Sequence, residues 1–494
     1  KIKKMHSTQK KEDDESLIPG VKPSELNTDF SKDRLIKKLY RKVPVLEYRG
    51  SFSSVDYFKI CFMFDVLSPE DVLYLPLLAE ALATSGWKGK KWHEAQKLID
   101  KNMGLSVTTL PGMFNPQKPL PHGQNDKNRD CFMVEVKSVS ENSLSAMEIL
   151  SDCINLADFS DEKRIKKIIL SLYENIKLSF SSQPLSFARK RLSRKVTPAA
   201  AKNELLEGLS QLLFLKKLVK ADIHKTCASL RRIFKTLKES GVFVFAASSK
   251  RELPGAEKAL FKFIEKTSLK APCARKKDDV NLLYSLTEIR GEENSCKTPS
   301  VDEVVVIPGT VGYAAAALEG EKGCSKKTVS VSALCHLLSS SLLWNLIRMK
   351  GGAYGVYLTK QKVSGNSVFL TYRDPSPFSS IETFFNLPES LNSFEVSEEE
   401  AVSAVTGLYS NFAEPSVPRQ KAKEALINYI FGYEPGEKSS EAKKLLSLTQ
   451  KDFKTAAKEL SKAKKAAETV VFCPQSHITK EIAKKCRKII KLTL

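Results

Sequence analysis

Two side chains able to hold a carbonyl oxygen, Arg348 and Tyr354, stand six residues apart with Gly351 and Gly352 between them. A guanidinium and a phenol both donate hydrogen bonds, so the pair can converge on one acceptor if the chain turns sharply between them. The surrounding sequence supplies such a turn. Leu342, Leu343, Leu346 and Ile347 recur at helical spacing and predict an amphipathic helix. Arg348 and Lys350 fall in its last turn, where cations complement the negative helix end. Gly351-Gly352 stops it, because glycine reaches the left-handed cap without a Cβ clash. Val356 and Leu358 then alternate as a strand, Ser364-Gly365-Asn366 turns, and Val368, Leu370 and Tyr372 continue on a second strand. By spacing alone, the same residues also read as an ordinary helix cap and a packing tyrosine.

Other chemistries leave little trace. Zinc-dependent hydrolysis needs two histidines one helical turn apart, a third ligand and a general base. The six histidines are His6, His93, His122, His224, His336 and His477, and no two lie within five residues of each other. His93-Glu94 is followed by Ala-Gln-Lys rather than by a second histidine. No metal is therefore assigned to this chain, and each histidine reads as a surface or core residue. No Gly-x-Ser-x-Gly elbow or phosphate loop is present, and Gly351-Gly352 is a cap, not a nucleotide fingerprint.

The chain has 494 residues, enough for roughly two to four domains. At 42% hydrophobic residues it can build large cores, which excludes a disordered protein. No uninterrupted apolar run approaches the roughly 20 residues of a membrane span. The polar opening KIKKMHSTQKKEDDES is not a secretory signal; it reads as a cut into a longer chain or a processed start. The ten cysteines form no Cys-x-x-Cys pair, and several lie in apolar patterns, so they read as reduced thiols of a soluble protein in a reducing compartment, cytoplasm or organelle matrix. The formal charge of +22 admits nucleic acid, anionic lipid or acidic ligands as partners. The lysines are spread along the chain without a nucleic-acid-binding frame, so neither nucleic acid nor membrane is expected as a partner. The dense basic run containing Arg189, Lys190, Arg191 and Arg194 reads as a solvated helix face.

A pass along the chain predicts an internal repeat. Residues 1–40 are charged and broken by Pro19-Gly20 and Pro23. A first unit, 41–266, opens with strands at 43–47 and 55–66, the latter placing Phe58, Ile60, Phe62 and Phe64 on one face. Ser68-Pro69-Glu70-Asp71 starts a helix through 72–82. A second helix is expected at 93–103, a strand pair within 105–136 around a loop rich in proline and asparagine, and helices near 141–158, 161–179, 198–219 and 222–239. The unit closes with a strand at 242–247 and a helix at 256–266. Residues 267–300 read as a linker. A second unit, 301–494, repeats the scheme and closes with a strand at 469–473 and an amphipathic helix at 478–492. The matched endings argue for two copies of one unit. The fold class is α+β: two homologous α/β domains, each a mainly antiparallel sheet covered on one face by helices.

The stretch RMKGGAYG, followed by SGNSVFLTYRDP, resembles the C-terminal half of the insulinase/pitrilysin family of zinc peptidases, in the branch of presequence protease and falcilysin. Tyr74-x-Pro76-Leu77-Leu78, Pro415, Pro418, Tyr429, Gly432 and Thr449-x-x-Asp452 follow the same pattern. The resemblance implies one half of a clamshell peptidase closing over an internal chamber, with residues 1–40 as the tail of a helical hairpin joining the halves. It further implies that Arg348 and Tyr354, with Gly351 and Gly352, bind the substrate main chain opposite the zinc. The family's His-x-x-Glu-His motif is absent here, so zinc would be held by a missing N-terminal half, in the same polypeptide or a separate chain. The implied function is endoproteolysis of unfolded peptides, this chain alone being inactive. Arg373 and Asp374 read as a structural ion pair at the strand end. A non-catalytic paralogue acting as a binding or scaffold subunit is the rival reading, and a basic nucleic-acid binder the third.

Overall fold

The computed structural model describes residues 21–30, 35–112, 129–294, 296, 299–414, 416–434 and 436–492. Pro19-Gly20, His6, His122, Pro415 and residues 113–128, on which the predicted proline- and asparagine-rich loop falls, lie outside the described residues.

The fold is mixed α/β, built on two sheets. The first holds β1 (Ile36–Tyr40), β2 (Val43–Arg49), β3 (Val55–Met63), β4 (Gly104–Leu110), β5 (Cys131–Val139) and β6 (Val242–Ser248), in the order β1-β2-β6-β3-β5-β4. The second holds β7 (Glu292–Glu293), β8 (Val301–Val306), β9 (Tyr313–Leu318), β10 (Gly355–Lys360), β11 (Ser367–Tyr372), β12 (Val470–Cys473) and β13 (Cys486–Lys491), in the order β10-β11-β9-β12-β8-β13-β7. The frame β2-β6-β3-β5-β4 of one sheet matches β8-β12-β9-β11-β10 of the other. In both, the closing strand lies parallel to the opening strand and antiparallel to the next, as β6 does between β2 and β3 and β12 between β8 and β9.

The core follows from the alternation. Phe58, Ile60 and Phe62 on β3 point to one face and are all but fully buried. Each such side chain contributes on the order of 1.5–3 kcal/mol relative to exposure. Cys61 and Met63 point to the other face. Each sheet carries its own helices on one face, and the opposite face receives a helix from the other half of the chain. Helix Pro184–Ser193 brings Phe187, Ala188 and Leu192 onto the second sheet, beside Tyr313 and Phe472. Helix Pro418–Phe431 lays Ala422, Leu426 and Ile430 on the first sheet, against Leu46, Cys61 and Phe245. The ten cysteines are unpaired, and burial pushes the thiols of Cys153 and Cys473 up to about 12.

Several elements depart from the sequence reading for local reasons. The helix expected at 72–82 is split into Pro69–Val72 and Leu75–Thr84, since Pro76 lacks the N–H a continuous helix would use. The 198–219 stretch divides at Gly208, where a Cβ would collide with Glu204. The closing helix expected at 478–492 is a short helix, Lys480–Lys484, followed by strand β13. As a strand beside β8 it buries Ile489 and Ile490 on opposite faces. The 267–300 segment is not bare linker: it holds helix Val280–Leu286 and strand β7. Among the described residues one helical stretch, Lys326–Lys350, is long and apolar enough to cross a membrane, yet half of its apolar window is buried within this fold.

Candidate substrate-holding corner

Helix Lys326–Ser340 is capped by Ser325, whose hydroxyl accepts from the Thr328 N–H, and it ends at Ser341. The chain then re-enters as a π-helical turn, Trp344–Lys350, instead of the continuous α-helix predicted. Such turns are rare and concentrate at functional sites. Leu343 and Ile347 are anchored in the second core while Leu346 and Met349 face outward. Gly352 donates to the Arg348 carbonyl at 3.0 Å and Ala353 to the Ile347 carbonyl at 3.1 Å, closing the turn. Gly352 has φ +78°, a left-handed conformation that suits glycine. A Cβ on Gly351 would lie 2.6 Å from the Ile347 carbonyl oxygen, so this glycine is required by close approach.

Tyr354 emerges at the start of β10, the edge strand of its sheet. Its N–H donates to the carbonyls of Tyr372 and Arg373, at 3.1 and 3.2 Å, which pins its backbone. Its side chain remains 64% exposed. The Arg348 guanidinium lies over the Trp344 ring at 3.8 Å and 5.7 Å from the Tyr354 ring centroid. Among the described residues no carboxylate lies within ion-pair distance of Arg348. A cation held by ring faces keeps its N–H edge available to an outside acceptor, as the phenol keeps its hydroxyl. The structure thus brings Arg348 and Tyr354 together across Gly351-Gly352. Trp344, which holds Arg348, escaped the sequence reading although it stands one helical turn before it, and Tyr372 was read only as a strand residue.

Two sequence expectations are corrected here. Arg373 and Asp374 do not pair. Asp374 is 1% exposed, with its Oδ1 accepting from the Ser376 N–H at 2.8 Å, while Arg373 is exposed and leans on the Tyr372 ring. The main chain of Asp374 exchanges two hydrogen bonds with Gly312, which turns its side chain inward. The basic run is not uniformly solvated either. Arg191 and Arg194 are buried, and Arg191 binds Glu303 at 2.7 and 2.9 Å and Glu204 at 3.2 Å. Arg194 reaches Glu303 and Glu468. Desolvation opposes the Glu303 charge, but the facing guanidiniums prevail and hold its pKa below the usual carboxylate range. The cluster joins a first-half helix to β8 of the second half. Partners distant in sequence gave no local sign of it.

A cavity of about 1760 Å³ lies elsewhere, lined by His336, Lys360, Lys362, Tyr409 and Glu441 among others, and neither Arg348 nor Tyr354 borders it. Among the described residues no three His, Cys, Asp or Glu side chains converge as a metal set.

Two family models match the chain. That of the domain associated with M16 peptidases of subfamily C covers residues 1–218, and that of the "PreP C-terminal domain" covers residues 302–476, across the corner just described. The chain belongs to the insulinase/pitrilysin family, in its presequence-protease branch, and corresponds to a C-terminal half. It is 25% identical to protein HypA of Clostridium perfringens, over 89% of this chain and 43% of that protein. With presequence protease 1, chloroplastic/mitochondrial, of Arabidopsis thaliana it shares 23% identity over 85% of this chain and 37% of the relative. With the mitochondrial presequence protease of Xenopus laevis it shares 21% over 98% and 48%. The chain thus spans about half the length, or less, of these relatives. In fold it resembles the peptidase M16 inactive domain from Pseudomonas fluorescens, with TM-score 0.56, 14% identity and coverage of 90% of this chain and 98% of that one. A conserved protein from Enterococcus faecalis gives TM-score 0.61 at 11% identity, covering 91% and 100%. The corner lies within the part of the chain matched by the PreP C-terminal model, and the fold around it resembles that of the Pseudomonas fluorescens M16 domain.

Proposed function

We propose that the chain is the substrate-holding, non-zinc half of a zinc metalloendopeptidase that degrades unfolded peptides inside a closed chamber. Its partner would be an N-terminal zinc-binding half, in the same polypeptide or a separate chain. The described residues do not fit a zinc site, so the metal would belong to that partner. The observation that carries the reading is the pair of Arg348 and Tyr354, held across a glycine corner with no carboxylate partner among the described residues. Their role is to bind the peptide main chain and to stabilise charge on the carbonyl under attack, as oxyanion donors do. Gly351 and Gly352 allow the close turn. The same reading puts the protein in a reducing compartment, cytoplasm or organelle matrix.

The test is peptide cleavage by the full-length protein with both halves. Tyr354→Phe removes one hydroxyl donor and little packing. It is expected to cost roughly 3 kcal/mol of barrier, about a hundredfold in rate, with an unchanged thermal melt. Arg348→Lys keeps the charge but loses the planar fork, and is also expected to be impaired. Parental rates from Tyr354→Phe with an unchanged melt would reduce the tyrosine to a packing residue. Absence of any cleavage by the complete protein would favour the scaffold reading.

A further inference from the structure

The aromatic row at the corner continues past Tyr354. Its ring meets Tyr372 edge-on at 5.8 Å, and Tyr372 lies 5.7 Å from Tyr313. Arg348 stands on this row against Trp344, and a second guanidinium, Arg373, stands on it 5.7 Å from the Tyr372 centroid. Tyr313 also lies within electrostatic reach of Arg373. Among the described residues Arg373, like Arg348, has no carboxylate within ion-pair distance. Its neighbour Asp374 is turned inward and buried. Arg373 has φ +49°, a left-handed conformation that a non-glycine residue adopts only when its surroundings hold it there. The surroundings impose it: the Arg373 carbonyl accepts from the Tyr354 N–H, and the next residue is locked to Gly312. The conformation that pins Tyr354 is therefore the one that presents Arg373 on the open side. A guanidinium carries five N–H donors, so one that rests on a ring face still has an edge to bind a carboxylate with two parallel hydrogen bonds. The formal charge of +22 adds long-range attraction for an anion.

We propose that Arg373 is a specificity residue of this corner. It selects peptides that carry a carboxylate within one or two residues of the backbone group held by Arg348 and Tyr354. The inference rests on the peptide-holding role proposed above. The carboxylate can come from an acidic side chain or from the peptide's own C-terminus.

The experiment uses the full-length protein and matched peptides, one pair differing as glutamate or glutamine beside the cleaved bond and one pair ending there in a free or an amidated C-terminus. The parent is expected to favour the anionic member of at least one pair by about tenfold in kcat/KM, and the pair that responds identifies the source of the carboxylate. Arg373→Asn keeps a residue that tolerates the left-handed backbone and removes the charge, so the ratio should fall to about one. Arg373→Lys should restore part of it. A parental ratio near one for both pairs, or a ratio that survives Arg373→Asn, overturns the proposal. If the parent cleaves none of the peptides, the proteolytic reading fails separately. Fluorescence anisotropy of the same labelled peptides on the same protein then decides: an anion preference lost in Arg373→Asn upholds the residue's role, and equal affinities or no binding refute it.

Discussion

The two halves of the chain place a helix-to-strand corner at the same point of the same sheet frame, and the two corners differ. In the first half, helix Trp92–Asn102 passes through Met103 straight into edge strand β4. Met103 donates to the Ile99 carbonyl at 2.8 Å and is already extended, so no left-handed residue intervenes. In the second half, a π-helical turn and four residues, Gly351 to Tyr354, precede edge strand β10. Those extra residues swing a tyrosine outward beside an arginine that has ring contacts but no carboxylate partner among the described residues. The first corner has Asn102 folded back on the Leu98 carbonyl, with no arginine–tyrosine pair across it. Topology alone therefore does not make a site. What distinguishes the candidate corner is a short insertion whose glycines tolerate conformations that other residues resist.

The comparison can be broken or sharpened by substitution. The largest effect is expected in the frame common to both corners. Arg191→Met strands Glu204 and part of Glu303 in the core, and should cost about 3–5 kcal/mol in chemical denaturation, lowering the stability of both halves together. A loss below about 1 kcal/mol would mean that the buried cluster does not hold the halves. Next, Gly351→Ala forces a Cβ against the Ile347 carbonyl. It is expected to lose about 2 kcal/mol, on the scale of overpacking, and to impair peptide cleavage with it. Trp344→Leu removes the ring that holds Arg348, and should slow cleavage by about tenfold with a melt shifted by no more than a few degrees. A parental rate would show that the guanidinium does not need its ring. The smallest effect is expected at the bare corner. A Cβ on Gly104 meets only Lys137, at 4.0 Å, so Gly104→Ala should stay within about 0.5 kcal/mol of the parent in the same denaturation assay. If Gly104→Ala and Gly351→Ala cost the same, the two corners are not different in kind.

Acid adds a further handle on the frame. Glu288, half-exposed, feels desolvation that would raise its pKa, yet Lys195, Lys488 and Arg194 outweigh it and hold its carboxyl down at about 2. A carboxyl held below its unfolded value of about 4.5 stabilises the fold above that pH. This contribution should fade as pH falls from about 4.5 toward 2, and Glu288→Gln should flatten that part of a stability-against-pH curve.

Much of this was legible along the chain because its causes are local. The alternation of Phe58, Ile60 and Phe62, the Ser68 and Thr449 caps, and the glycines beside Arg348 depend on neighbours within a few residues. What was misread depends on partners far away. Arg191 and Arg194 look like any basic helix face until Glu303, more than a hundred residues on, meets them in the core. The 486–491 segment has enough apolar residues for a helix, and becomes a strand because β8 offers it an open edge.

The sequence by itself determined most strands and helices ahead of the closing segment, the glycine turn, and the residue types at the corner, since periodicity, capping and backbone tolerance are short-range properties. Only the tertiary structure decided that a helix from each half covers the other's sheet, that the turn carrying Arg348 is π-helical, and that Arg373 faces outward while Asp374 faces in. Those outcomes were settled by which surfaces and hydrogen-bonding edges were left to satisfy once the two sheets had packed, a quantity that no stretch of chain carries alone.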